Sequence, residues 1–157
     1  MCVQCTKWLR KMDKFVVTGN PQGKARPRFT RKGHTYTPQK THDYEEYIRV
    51  CYRQYIKKRN YLDDEPLFVI IDAYYPIPKS FSKTKRNMAI KGDLLPHSKP
   101  DVDNIAKVVL DALNGIAYID DKLVTGLLVK KYYSIAPRVE IQIGAFNEVS
   151  NRFKSDE

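Results

Sequence analysis

Cysteine is scarce: Cys2, Cys5 and Cys51 are the only three in 157 residues. Three thiols cannot all pair internally, and without a secretory segment reduced thiols in a cytoplasmic protein are expected rather than a disulfide framework. A long apolar run is also missing. The longest, Leu67 to Ile71, falls far short of the roughly 20 residues a bilayer span needs, which excludes a membrane-spanning helix. Residues 1–11 lack a continuous apolar core and carry Lys7, Arg10 and Lys11 where a signal peptide would be apolar, so no secretory segment is expected. Glycine occurs only seven times, without the period of a collagen, and no internal repeat or low-complexity tract is present. With 42% hydrophobic and 29% charged residues, the chain can build one domain around a core.

Acidic residues are almost absent from one region. Residues 1–60 hold 15 Lys and Arg against four Asp and Glu, a balance of +11, so the whole formal net charge of +10 arises there. A basic chain implies a polyanionic partner. Lys24, Arg26, Arg28, Arg31 and Lys32, interleaved with Phe29, His34 and Tyr36, suit phosphate contacts with some base or sugar packing; a solvated basic loop is the alternative. Further on, Lys79 to Lys99 carries six basic residues against Asp93, whereas Pro100 to Asp121 carries five aspartates against Lys107. An acidic island thus follows a basic loop that includes Lys83, Lys85 and Arg86. Cys2-x-x-Cys5 has the spacing of half a zinc site, but only Cys51, His34, His42 and His97 could complete it, so a frayed N-terminus is the better reading.

Periodicity predicts an α+β fold, a single domain with a small mixed β-sheet packed on two main helices. Strands are expected over Lys14 to Thr18, His34 to Thr37, Leu67 to Tyr75, Leu123 to Tyr133 and Val139 to Phe146. The first helix is expected to begin at an N-cap Thr41, to bury Tyr44, Tyr47, Ile48, Cys51 and Tyr55, and to end in Lys57-Lys58-Arg59-Asn60. A short helix can form over Lys83 to Ile90, and a second main helix is predicted from Asp101 to Leu113, closed by Asn114-Gly115. Residues 1–13 read as a flexible N-terminal extension, 14–146 as the domain, and 147–157 as a tail.

On the second main helix, at 100° per residue, Asp103, Asn104, Lys107, Asp111 and Asn114 share one face, with Val102, Ile105, Ala106, Val109 and Leu113 largely opposite. Asp103, Lys107 and Asp111 at i, i+4 and i+8 can form a solvated acid–lysine ladder, and Asp101 can serve as an N-cap. Asp120-Asp121 strains that reading. If the chain doubles back at Gly115, three or four carboxylates converge and call for a divalent cation, with all-oxygen ligation suiting Mg²⁺ or Mn²⁺. On a basic protein such a site suits phosphodiester hydrolysis, with Lys107 neutralising charge on the scissile phosphate.

The string KPDVDNIAKVVLDALNGIAYIDDKLV, Lys99 to Val124, followed by Lys130-Lys131, resembles the RusA family of Holliday-junction resolvases, common in prophages and bacteriophages. GNPQGKARPRF (Gly19 to Phe29), YTPQKTHDYE (Tyr36 to Glu45) and PKSFSKTKRN (Pro78 to Asn87) support the resemblance. It implies a homodimeric, RusA-like α+β endodeoxyribonuclease that makes paired nicks in four-way DNA junctions with Mg²⁺ or Mn²⁺ and acts in recombination and repair. It also implies catalytic roles for Asp101, Asp103, Lys107 and Asp121, with Asp101, Asp103 and Asp121 as metal ligands and Asp120 as a further candidate. Lys24, Arg26, Arg28, Arg31, Lys32, Lys83, Lys85 and Arg86 are the expected DNA contacts. The competing readings are a branched-DNA binding protein without catalysis, and a nuclease of the same fold acting on flaps or RNA.

Overall fold

A computed structural model of the protein describes residues 12–26, 28–29, 31–32, 34–58 and 64–146. In chain order these form β1 (Asp13–Thr18), β2 (Arg28–Phe29), β3 (Thr35–Tyr36), α1 (Gln39–Tyr55), β4 (Leu67–Pro76), α2 (Lys83–Lys91) and α3 (Val102–Leu113). A 3-10 turn (Asp121–Leu123), β5 (Val124–Ser134) and β6 (Arg138–Ala145) complete them. The N-terminal extension, including Cys2-x-x-Cys5, and the tail lie outside the described residues, apart from Met12 and Asp13.

The main sheet has the order β1-β6-β4-β5, and β2 and β3 form a separate two-stranded ribbon. β4 is interior, antiparallel to β6 and parallel to β5, with Ile71 opposite both Ile141 and Val129. A parallel pair cannot be closed by a tight turn. The connection from β4 to β5 therefore carries α2, α3 and the whole acidic island across the sheet, and this crossover positions the candidate site.

Alternation makes β4 two-faced: Leu67, Val69, Ile71, Ala73 and Tyr75 are buried, while Phe68, Ile70 and Tyr74 are partly exposed. The buried face meets α1 and α3, which pack against each other. α3 contributes Ile105, Val108, Val109, Ala112 and Leu113, and α1 contributes Tyr44, Ile48, Cys51 and Tyr52. Arg49 Nε donates to the Ala112 carbonyl at 3.0 Å, so the two helices are also tied by a polar bond. The fold is a single α+β domain with three helices where two main ones were expected, α2 being the short helix over 83–91.

Several local expectations are corrected. The first helix starts at Gln39 with Pro38 in the cap position; the fixed φ of proline suits a helix entry. Thr41 is buried within the first turn, its Oγ1 accepting from the Ala25 amide at 3.4 Å. Tyr47 and Tyr55 are 40% and 58% exposed, and Tyr52 is buried in their place. The buried stripe of α1 runs through Thr41, Tyr44, Glu45, Ile48, Cys51 and Tyr52, a 3.6-residue period that leaves Tyr47 at its margin, 2.6 Å from the Thr18 hydroxyl. The helix closes at Ile56, before the lysine cluster. Val102 is exposed at the first turn of α3 rather than joining its apolar face.

Candidate functional site

Loop 19–26, between β1 and β2, lies directly on the start of α3. The Lys24 amide donates to the Asn104 carbonyl at 2.9 Å. A Cβ on Gly23 would stand 2.6 Å from Pro100 Cβ and 2.9 Å from Asn104 Cβ, so only glycine permits this approach. The Lys24 ammonium hydrogen-bonds Glu45 of α1 and lies 2.9 Å from Asp111 of α3. Partial burial acts to lower its pKa, and the bonds and charges of the two carboxylates outweigh that, holding it above the usual lysine value.

Between this loop and the segment entering α3 runs a cleft of about 610 Å³. Lys24, Arg26, Lys99 and Asp101 line it together with Gly23, Pro100 and Asn104. The floor of the approach is fixed from the sheet. Tyr75 Oη of β4 donates to the Pro100 carbonyl at 2.9 Å, and Lys131 Nζ of β5 donates to the Ser98 carbonyl at 2.5 Å while lying 5.0 Å from the centre of the Tyr75 ring. Burial pushes the Tyr75 phenol up, and the charges of Tyr44 and Asp101 add to it; it stays a hydrogen-bond donor across the neutral range. Lys130 faces away from this site and pairs with Asp72 at 3.3 Å.

The acidic residues divide by neighbour. Asp101 occupies the N-cap position of α3, yet its side chain makes no capping bond, so the expected cap geometry is present without the cap. Asp103 and Lys107 are exposed on α3. The expected acid–lysine ladder does not form: Asp111 is taken by Lys24, and among the described residues no ion pair joins Lys107 to either aspartate. Asp120 accepts from the Lys122 amide at 3.0 Å and pairs with the Lys122 ammonium at 3.5 Å, and the amide bond leads the effects that hold its carboxyl below the usual range. Asp121 is exposed at the start of the 3-10 turn. It acts with Asp111 on the Tyr118 phenol, which burial in the first place pushes up and whose Oη donates to the Leu110 carbonyl at 3.0 Å.

The expected convergence of three or four carboxylates is corrected in one respect. Among the described residues, no group of three or more His, Cys, Asp or Glu is arranged to hold a metal ion. Asp101, Asp103 and Asp111 belong to α3 and its cap, Asp120 and Asp121 to the separate 3-10 turn, and Asp111 and Asp120 are already committed to other partners. By donor type the remaining set still fits a hard divalent cation, since Asp101, Asp103 and Asp121 are exposed oxygen donors.

A family model described as Endodeoxyribonuclease RusA matches residues 18–144. The chain belongs to the RusA family. The uncharacterized protein YqaN of Bacillus subtilis (strain 168) is 41% identical over 135 residues, covering 83% of this chain and 94% of its own length. RusA is a family of Holliday-junction-resolving endodeoxyribonucleases, and the matched span takes in every element from the end of β1 to β6.

Within that RusA span the predicted DNA contacts fall into two groups. Arg26 lines the cleft, Arg28 lies in β2, and Arg31 and Lys32 are exposed in the β2–β3 turn. Lys83, Lys85 and Arg86 are exposed on α2, which Ser82 caps by accepting from the Lys85 amide at 3.4 Å. Lys24 lines the same cleft as Arg26, but its ammonium is held between two carboxylates. Sequence reasoning missed Gly23, Glu45, Tyr75 and Lys131 as shapers of the site. Gly23 and Glu45 lie inside the quoted family strings and Lys131 in the quoted lysine pair, but only their contacts give them a role. No described helix of this RusA-family chain is long and apolar enough to cross a membrane.

Proposed function

We propose that the protein resolves four-way DNA junctions by paired, Mg²⁺- or Mn²⁺-dependent phosphodiester hydrolysis. The observation that carries this reading is the docking of the basic loop onto α3, which puts Arg26, Lys99 and Asp101 in one cleft within a RusA-family chain. Cations that hold a phosphate and acids that ligate a metal are needed within reach of the same phosphodiester, and the cleft supports this by setting Arg26 and Lys99 beside one of the proposed ligands, Asp101. In this reading Asp101, Asp103 and Asp121 hold the cation, with Asp120 a weaker candidate because its turn already engages it. A divalent cation there would supply an activated water and neutralise charge at the phosphate. Lys107, one turn after Asp103, would meet the charge that develops on the scissile phosphate. Arg26, Arg28, Arg31 and Lys32, with Lys83, Lys85 and Arg86, would hold the arms of the junction. A cytoplasmic location accords with free DNA access and with the buried thiol of Cys51.

The deciding assay incubates a synthetic four-way junction with the protein, with and without Mg²⁺, beside flap, linear duplex and RNA substrates. Paired nicks in the junction only with the metal are expected. Tight junction binding without any cleavage would favour the non-catalytic binding protein, and preferential cutting of flaps or RNA would move the substrate class.

A homodimer is proposed on symmetry: a four-way junction has near two-fold symmetry, and two symmetric nicks need two active sites, which a closed C₂ assembly provides. Light scattering at micromolar concentration should return twice the chain mass of 18.3 kDa. A monomer both with and without DNA would remove this support for resolution by paired nicks.

A further inference from the structure

We propose that Lys24 is a positioning residue that clamps the basic loop onto α3, rather than one of the residues that contact DNA phosphate. Its activity readout rests on the proposed junction cleavage; the clamp itself rests on geometry alone. Lys24 joins three elements. Its ammonium meets Glu45 on α1 and Asp111 on α3, and its amide is bonded to Asn104 at the first turn of α3. The side chains of Lys24 and Glu45 are only 18% and 10% exposed.

Charge argues against a phosphate role. One ammonium faces two carboxylates, so the triad is net negative and a phosphate approaching Lys24 meets Glu45 and Asp111 as well. Position argues for a clamp. Gly23, immediately before Lys24, is seated against Pro100 and Asn104 with no room for a Cβ, and Arg26, two residues on, is exposed and lines the cleft beside Asp101. Lys24 therefore fixes where Arg26 stands relative to the acids, and a displacement of about 1 Å at such a site costs on the order of a hundred-fold in rate. Without Lys24, the largely buried Glu45 carboxylate would lose its partner, and the remaining loop bonds, Lys24 amide to Asn104 and Ala25 amide to Thr41, supply no charge to replace it.

The test compares Lys24→Met and Glu45→Met with the parent in three measurements: single-turnover junction cleavage, the log–log salt slope of junction binding, and deuterium uptake by the peptide spanning residues 20–26. Glu45 is a carboxylate and supplies no phosphate contact, so it separates the two roles. A clamp requires that both variants lose roughly ten- to a hundred-fold in cleavage, keep the parental salt slope, and take up deuterium faster in the loop. The clamp is overturned if Lys24→Met flattens the slope by about 0.9, one phosphate contact, while Glu45→Met behaves as the parent. Unchanged uptake and cleavage in both variants would overturn it equally. If Lys24→Met does not fold, Glu45→Met carries the test alone, because losing one of two acceptors still loosens the loop. If the parent cuts no junction at all, the proposed function fails, and the uptake measurement still decides the clamp.

Discussion

Asp103→Asn should give a folded protein that binds a four-way junction at least as tightly as the parent and cuts it on the order of a thousand-fold more slowly, the upper range for losing one preorganised charge-stabilising group. Asn keeps the size of the side chain and one oxygen donor but removes the charge that holds a divalent cation. Folding should survive, because Asp103 is exposed on the polar face of α3 while the core contacts come from Ile105, Val108, Val109, Ala112 and Leu113. Nor does the substitution strand a partner: among the described residues Asp103 is in no ion pair, and the Lys24 triad uses Asp111. Binding should hold or tighten, since one negative charge beside the phosphates is gone. Excess Mn²⁺ should rescue cleavage weakly at best. Circular dichroism, a junction-binding titration and single-turnover cleavage on the same preparation check the three parts. A variant that cuts at close to the parental rate would show that Asp103 holds no catalytic cation and would overturn its assignment as a metal ligand.

What the sequence made legible were the features governed by local periodicity. The alternation of β4, the apolar face of α3 and the Gly115 break after it follow from side-chain spacing, and the structure places each within a residue or two of its expected bounds. The register of α1 was less legible. Tyr47, Tyr52 and Tyr55 are chemically alike, and which of them is buried depends on where α3 and β1 press against the helix. Phe15 of β1 settles it by meeting the Tyr52 ring edge-on at 5.4 Å.

The site was legible in its residue types and not in its pairings. The spacing of Asp103, Lys107 and Asp111 invites a ladder along one helix, but Asp111 is claimed by Lys24 from a loop whose approach depends on Gly23. Ion pairs between distant elements are set by docking, which no period in the sequence encodes. For the same reason Lys24 reads as one more cation in a basic string until Glu45 and Asp111 are seen around it. The two adjacent aspartates likewise look equivalent until the 3-10 turn uses Asp120 for its own amide and leaves Asp121 exposed at its start.

Junction affinity should fall by on the order of 10³ or more between about 50 and 200 mM salt, as expected for six or more phosphate contacts. In the proposed reading these contacts come from Arg26, Arg28, Arg31 and Lys32 on one side and from Lys83, Lys85 and Arg86 on the other. The α2 group offers the cleaner test, because Ala is a strong helix former and the three positions are exposed. The triple variant Lys83→Ala, Lys85→Ala, Arg86→Ala should keep its fold, leave the loop 19–26 and its clamp untouched, and flatten the log–log slope by roughly 0.9 for each contact removed. Its loss in affinity should shrink as salt rises, since the missing contacts contribute mainly through counterion release. Titrations at four or more salt concentrations measure both quantities. A parental slope near zero would show that the basic regions do not meet phosphate, and an unchanged slope in the triple variant would confine the DNA contacts to the loop and the β2–β3 ribbon.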